Sequence, residues 1–189
     1  MLRRIAVVGT LVSFFLFLVF YDEPVKAEVE KVELNGIDNF SEIRETTSFA
    51  GTRLGFGGAT QAEAIASLKN RGFVTVVNLR LSGEENIDLQ GNIEAAKAAG
   101  LNYIHLPFDT SAHAEDVVEK FIEILGNAEN QPVYVHCGSA TRAAALWMIG
   151  RVLVDGWDIE DASAEAAQIA RKPPQAITFA RKYIESLEE

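Results

Sequence analysis

Only one cysteine, Cys137, occurs in the 189 residues. A single thiol excludes an internal disulfide framework and any zinc site built on several cysteines. Histidine is scarce too: His105, His113 and His136 show no HxxxH-type spacing, so no metal and no cofactor is expected. Basic residues are outnumbered, 17 Lys and Arg against 27 Asp and Glu, for a net charge of −10. With no basic stripe to displace counterions from a phosphate backbone, nucleic acid is excluded as a partner. Repeats and low-complexity tracts are absent. Apolar residues are plentiful at 48%, enough for a sizeable core.

Arg3 and Arg4 precede an apolar run over residues 5–21, and Val25-Lys26-Ala27 then offers small or permissive residues around a peptidase site. Charge, apolar block and cleavage site in that order read as an export signal over residues 1–27. An uncleaved anchor is the alternative, because the run is slightly short for a full span but serves when tilted. No cysteine follows the block, which excludes a lipoprotein anchor. The expectation is an exported domain, periplasmic or secreted, touching a membrane only through such an anchor. Residues 28–45 are charged and weakly periodic and read as a linker into a domain over 46–189.

From residue 46 onward, strand and helix signals alternate. A short strand and a glycine-rich loop occupy 46–58, and Thr60 is placed to cap a helix stopped by Gly72. "FVTVVNLR" (73–80) is a β-branched strand, and residues 90–100 are a helix ended by Gly100. A strand over 101–108 and a helix over 114–125 follow, the latter with Val117, Val118, Phe121, Ile122 and Leu125 at helical spacing. The central strand is 131–136, and helices over 142–154, 159–171 and 174–187 close the chain, the last entered through Pro173 and Pro174. Such alternation predicts an α/β fold with a mostly parallel central sheet flanked by helices. The segment "RAAALWMIGRVLV" is apolar on nearly every side, as a buried central helix requires.

Chemistry concentrates in "VHCGSATR", residues 135–142. The loop leaves a buried strand and enters a buried helix, and open α/β sheets bind ligands at such carboxyl ends. Gly138, Ser139 and Ala140 are small, so with Thr141 their amides can turn inward as an anion nest beside a helix N-terminus. Arg142 can present a planar fork to two oxyanion oxygens. These fields together hold an anion and favour the thiolate of Cys137, the reactive form. The plain alternative is a buried thiol acting as a small hydrophobe.

The same loop resembles the active-site loop of the cysteine-dependent protein tyrosine and dual-specificity phosphatases. The likeness extends to "GGATQAEAIASLKNRGFVTVVNLRLSGEE" and "AAGLNYIHLPFD", covering roughly residues 48–185. It is nearest the small bacterial phosphatase-like domain attached to β-lactamase-like hydrolases. The resemblance implies a dual-specificity-type fold and hydrolysis of a phosphomonoester on a protein, lipid or small molecule. It implies Cys137 as nucleophile through a cysteinyl-phosphate, and Arg142 as the phosphoryl clamp with the amides of Gly138, Ser139, Ala140 and Thr141. His136 would orient the loop through hydrogen bonds. Asp109, directly after the strand in "LPFD", is the general-acid candidate, with Asp116 in reserve; a plain loop or capping aspartate is the alternative. Two departures stand out. Four residues separate Cys137 from Arg142 where that class has five, and Ala143 replaces the hydroxyl after the arginine, leaving Ser139 or Thr141 to assist.

A six-residue loop from cysteine to arginine also resembles rhodanese sulfurtransferases, whose cysteine carries a persulfide. The stretch "NIEAAKAAGLNYIHLPF" matches the phosphatase arrangement rather than theirs. A non-catalytic anion-binding module is the third reading. Among secondary residues, Arg80 is expected in an ion pair with the following acids, with a pocket-lining role as the alternative, and Arg53 is a weak ligand candidate. Trp147 and Trp157 read as core. Glu84-Glu85-Asn86 and residues 185–189 read as solvated surface.

Overall fold

Four short apolar segments, Arg53–Gly57 (β3), Thr75–Asn78 (β4), Asn102–His105 (β5) and Val133–His136 (β6), form the parallel part of one sheet. Val76, Val77, Val133 and Val135 are fully buried, as a strand covered on both faces demands. The computed structural model describes residues 28–44, 48–51, 53–111 and 114–187. The N-terminal signal or anchor reading and His113 lie outside these.

Two further strands, Val29–Lys31 (β1) and Ser41–Arg44 (β2), pair antiparallel and extend the sheet to the order β1-β2-β3-β6-β4-β5. Residues 28–44 are therefore part of the fold and not the expected linker. The reason they escape a hydrophobic-pattern reading is specific. β1 exposes Glu30 and Lys31 at the sheet edge, and β2 carries a fully buried carboxylate, Glu42, beside the buried Ile43. Arg53 and Arg71 neutralise Glu42 at 3.1 and 2.7 Å, and their guanidiniums lie over Phe73 and Phe40. A buried charge is tolerable when it is paired in this way.

The expected glycine-rich loop after β3 is largely strand. Gly55 and Gly57 sit inside β3 because aromatic rings cross it. A Cβ on Gly55 would lie 2.6 Å from the ring of Phe73, and one on Gly57 would lie 1.9 Å from the hydroxyl of Tyr134. That hydroxyl lies 2.8 Å from the Thr60 hydroxyl, which also donates to the Gly58 carbonyl. Thr60 is thus occupied with the sheet and does not cap the next helix, which begins as a 3₁₀ turn at Ala62–Ala64 and continues as Ile65–Asn70 (α1).

Helices cover both faces. Leu89–Ala99 (α2) is capped by the Asp88 side chain and joins α1 over one face, around Ile65, Leu68, Phe73, Val76 and Tyr134. The other face packs against Glu115–Gly126 (α3), Thr141–Leu153 (α4), Ile159–Ile169 (α5) and Pro173–Glu185 (α6). α4 is buried from Ala143 to Arg151, as its apolar circumference implies. Its one interior charge, Arg151, lies between the rings of Trp147 and Trp157 and is held by Glu165 and Asp155 at 2.9 Å each.

The tight crossing at β3 is testable. Gly57→Ala drives a methyl into the Tyr134 hydroxyl and should cost about 2–3 kcal/mol in urea unfolding. Gly83→Ala, whose Cβ meets nothing within 4 Å, should lie close to wild type. Equal stability of the two variants would contradict the packing.

Candidate active site

The carboxyl ends of β3, β4, β5 and β6 converge on the loop that links β6 to α4. Cys137 stands at the end of β6, 1% exposed, its amide donating to the Gly57 carbonyl at 3.2 Å. The Ser139 amide donates to the Cys137 Sγ at 3.5 Å, the first donor of the expected nest. The chain reverses at Ala140, whose φ of +59° is left-handed, and α4 then starts at Thr141. A non-glycine residue in that region carries backbone strain of order 1 kcal/mol, a cost concentrated where a short loop must turn into a helix. The hydroxyls of Ser139 and Thr141 lie 3.0 Å apart.

Arg142 reaches across the mouth of the loop. Its Nη1 donates to the carbonyls of Leu79 at 3.1 Å and Phe108 at 3.0 Å, and pairs with Glu84 Oε1 at 2.6 Å. Three acceptors crowd that one nitrogen, and Nη2 lies 3.7 Å from where a Gly138 Cβ would stand. The guanidinium is therefore fixed by protein on one side, with its other nitrogen over the loop. Burial works against its charge, yet Glu84 and the Cys137 sulfur outweigh burial and raise its pKa.

Glu84 is the functional residue that the sequence reading missed. It belongs to the "EEN" run expected to be solvated, yet its Oε1 accepts from the Leu81 amide at 2.8 Å and its Oε2 from Arg80 Nε at 3.0 Å. Burial pushes its pKa up, but hydrogen bonds from Arg142, the Leu81 amide and Arg80 prevail and hold it down at about 2. A position four residues past Arg80, at the carboxyl end of a parallel strand, was the available signal. Arg80 takes the expected ion-pair role and also donates to the Asn86 and Glu85 carbonyls. Arg53 is corrected: it opens β3 at the opposite, amino end of the sheet and holds Glu42, so it is no ligand here.

His136 is fully buried and burial drives its pKa down to about 3, although the backbone at Gly58 and Cys137 pulls the other way. Neither contact reaches hydrogen-bond geometry, and neither ring nitrogen has a partner among the described residues. The expected hydrogen-bonding role is therefore replaced by stacking on Tyr134, with centroids 5.7 Å apart and planes within 10°. Asp109 follows Phe108, whose carbonyl Arg142 holds. Its carboxylate is exposed and accepts from the Ser111 amide at 2.9 Å and the Ser111 hydroxyl at 2.8 Å. Those bonds, and then the field of Arg142, lower its pKa, so in this arrangement it is ionised. Asp116 is exposed in the first turn of α3.

The fold that carries this cysteine, the Ser139 amide on its sulfur and the arginine beside its loop is that of solved phosphatases. P. aeruginosa TpbA in complex with pTyr aligns over 83% of this chain and 90% of its own, at TM-score 0.61 and 20% identity. The core catalytic domain of the PP-IP phosphatase SIW14 from S. cerevisiae aligns over 71% and 87%, at TM-score 0.57 and 20% identity. At such identity the likeness is one of fold. The chain belongs to the family described as beta-lactamase hydrolase-like protein, phosphatase-like domain, which matches residues 50–154. A beta-lactamase hydrolase-like protein of Agrobacterium fabrum is 34% identical over 115 residues, 58% of this chain and 26% of that protein. The chain thus spans about a quarter of the length of that relative.

The Glu84 clamp has a pH signature. Its carboxyl titrates at about 2 in the folded chain against an ordinary 4.5, so its stabilisation is fully present above pH 4.5 and is lost as pH falls through 2. The side chain is 24% exposed, and solvent screening reduces the contribution to roughly 1–2 kcal/mol. Glu84→Gln should be less stable than wild type by that amount at pH 6, with the gap closing towards pH 2 in urea unfolding. A gap that stays constant would contradict the clamp.

Proposed function

We propose that this chain is a cysteine-dependent phosphatase that hydrolyses phosphomonoesters, aryl phosphates such as phosphotyrosine among them. One observation carries the reading: the Ser139 amide donates to the Cys137 sulfur, and the Arg142 guanidinium is fixed beside the same loop by the Leu79 and Phe108 carbonyls and Glu84. Donors fixed before substrate arrives need no reorganisation when charge builds on the phosphoryl oxygens. The pTyr bound by TpbA supports the substrate class.

The chemistry follows in two displacements. The Cys137 thiolate attacks phosphorus in line, forming the S–P bond as the P–O bond to the leaving group breaks. Asp109 gives its proton to that leaving oxygen. Water then attacks the cysteinyl-phosphate while Asp109 takes a proton back, releasing inorganic phosphate and restoring the thiolate. Arg142 and the amides of residues 138–141 hold the three equatorial oxygens in both steps. Asp109 must carry a proton for the first step, and the bonds from Ser111, which favour its carboxylate, oppose that.

We also propose that the protein is exported from the cytoplasm. Arg3 and Arg4, the apolar run 5–21 and Val25-Lys26-Ala27 support export, by cleavage or as an anchor.

Wild type and Cys137→Ser should be compared for p-nitrophenyl phosphate hydrolysis and for thiosulfate-to-cyanide sulfur transfer. The expected outcome is phosphate release abolished in the variant, no sulfur transfer in either, and kcat lowered about 10²–10³-fold in Asp109→Asn. Cysteine-dependent sulfur transfer without phosphate release would replace the proposal with a sulfurtransferase.

A further inference from the structure

Ser139, whose amide donates to the Cys137 sulfur, has a backbone neighbour on each side. It bridges Gly58, just past the end of β3, next to the bond from the Cys137 amide to the Gly57 carbonyl. Its carbonyl accepts from the Arg171 amide at 3.2 Å, in the connection between α5 and α6. Both neighbours are held by a single turn, residues 36–39, between β1 and β2. The Gly58 amide donates to the Asp38 carbonyl at 2.6 Å and the Asp38 amide to the Ala59 carbonyl at 2.9 Å, while Ile37 bridges Thr60. Towards the other neighbour, Asn39 Nδ2 donates to the Ile169 carbonyl at 2.8 Å, two residues before Arg171. Lys31 Nζ donates to Asn39 Oδ1 at 2.9 Å and to the same carbonyl at 3.4 Å.

The residue types suit these contacts. Ile169 is the last residue of α5, and a helix leaves its final carbonyls without intrahelical partners. An amide donor and an ammonium there satisfy that carbonyl and match the negative end of the helix dipole. Asn39 stands at a φ of +49°, and asparagine is one of the few side chains that tolerate the left-handed region. The other side has no slack. A Cβ on Gly58 would lie 3.0 Å from both the Cβ and the carbonyl oxygen of Asp38, and 3.2 Å from the Cα of Ser139. Lys31, Asn39, Ile169 and Arg171 all lie outside 50–154, the span the family shares.

We propose that Asn39, assisted by Lys31, is a positioning residue for the catalytic loop. It fixes the end of α5, the next two residues present the Arg171 amide, and that amide fixes Ser139. The same turn fixes Ser139 from the other side through Gly58. The Ser139 amide meets the sulfur at 3.5 Å, a long contact that a small shift of the loop weakens. Donors must be in place before charge builds on the phosphoryl oxygens, and a displacement of about 1 Å can cost on the order of 10²-fold in rate. Asn39 acts only through the backbone of residues 169–171 and the turn that carries it. The inference rests on the phosphatase reading for turnover, and anion binding by the loop tests it independently.

Three variants of the full chain separate the contacts. Asn39→Asp keeps the shape of the turn but offers the Ile169 carbonyl an acceptor in place of a donor. Asn39→Gly keeps the left-handed φ and removes the side chain. Lys31→Met removes the second donor and leaves the turn untouched. Asn35→Ala, at an exposed position of the same hairpin, is the control. Each is assayed for p-nitrophenyl phosphate hydrolysis per folded molecule, with the folded fraction taken from urea unfolding, and for the dissociation constant of inorganic phosphate by NMR titration. Both Asn39 variants should lose about ten-fold or more in kcat, with a smaller rise in KM and phosphate binding weakened about three- to ten-fold. Lys31→Met should weaken phosphate binding about two- to three-fold, and Asn35→Ala should match wild type. Wild-type kcat and phosphate binding in the folded Asn39 variants, or equal losses in Asn35→Ala, would overturn the positioning role. Where an Asn39 variant does not fold, wild-type values in Lys31→Met would overturn it. A wild type that binds phosphate without hydrolysing p-nitrophenyl phosphate, with binding weakened by the Asn39 substitutions, would overturn the phosphatase reading and leave the positioning role standing.

Discussion

The guanidinium of Arg142 ties together the loops that follow three of the parallel strands. It sits on the loop after β6, takes the carbonyl of Leu79 after β4 and of Phe108 after β5, and is neutralised by Glu84. Each partner on its own is a modest contact, worth about 1–3 kcal/mol for a hydrogen bond to a charged group. Their shared consequence is positional. The loop amides, the sulfur and the arginine are in register before any substrate arrives, and the acid-bearing segment begins at a carbonyl that Arg142 holds. An anion site assembled from fixed donors in a partly buried setting is the arrangement in which electrostatic stabilisation is strongest.

The rest of the fold keeps those loops in place by burying charge only where it is answered. Glu42 sits in the sheet among arginines, and Arg151 crosses the central helix between two tryptophans with carboxylates at its nitrogens. Breaking either cluster by removing one partner would leave a buried charge exposed to the low dielectric, a costly outcome. Tight crossings do the same for geometry. Gly55 and Gly57 let the rings of Phe73 and Tyr134 lie against β3, and Tyr134 in turn stacks on His136 immediately before Cys137. Packing in the sheet thereby reaches the catalytic loop through one strand, β6.

Much of this was legible in the sequence, for physical reasons that differ from residue to residue. Strong periodicity and stop residues marked the helices from α2 onward to within a few residues, and β-branched runs marked β4 and β6. The sequence Val135-His136-Cys137 through Arg142 marked the candidate site because small residues between a buried strand and a buried helix have few other uses. Strands β1 and β2 were not legible: they are three and four residues long, and the buried Glu42 of β2 finds its partners, Arg53 and Arg71, on distant segments. Glu84 was missed for the same reason, since a pair of acids in a loop reads as solvated until the arginine 58 positions later is seen to fold against it. His136 stacks on Tyr134, a contact that spacing along the chain does not encode.

The central claim is that phosphorus becomes bonded to Cys137. Rapid acid quench of wild type turning over a ³²P-labelled phosphotyrosyl peptide, followed by proteolysis and mapping of the label, tests it directly. The account predicts transient label on the peptide that contains Cys137, and longer-lived label when Asp109 is replaced by Asn. Steady phosphate release with no label on that peptide, or with label on another residue, would contradict it.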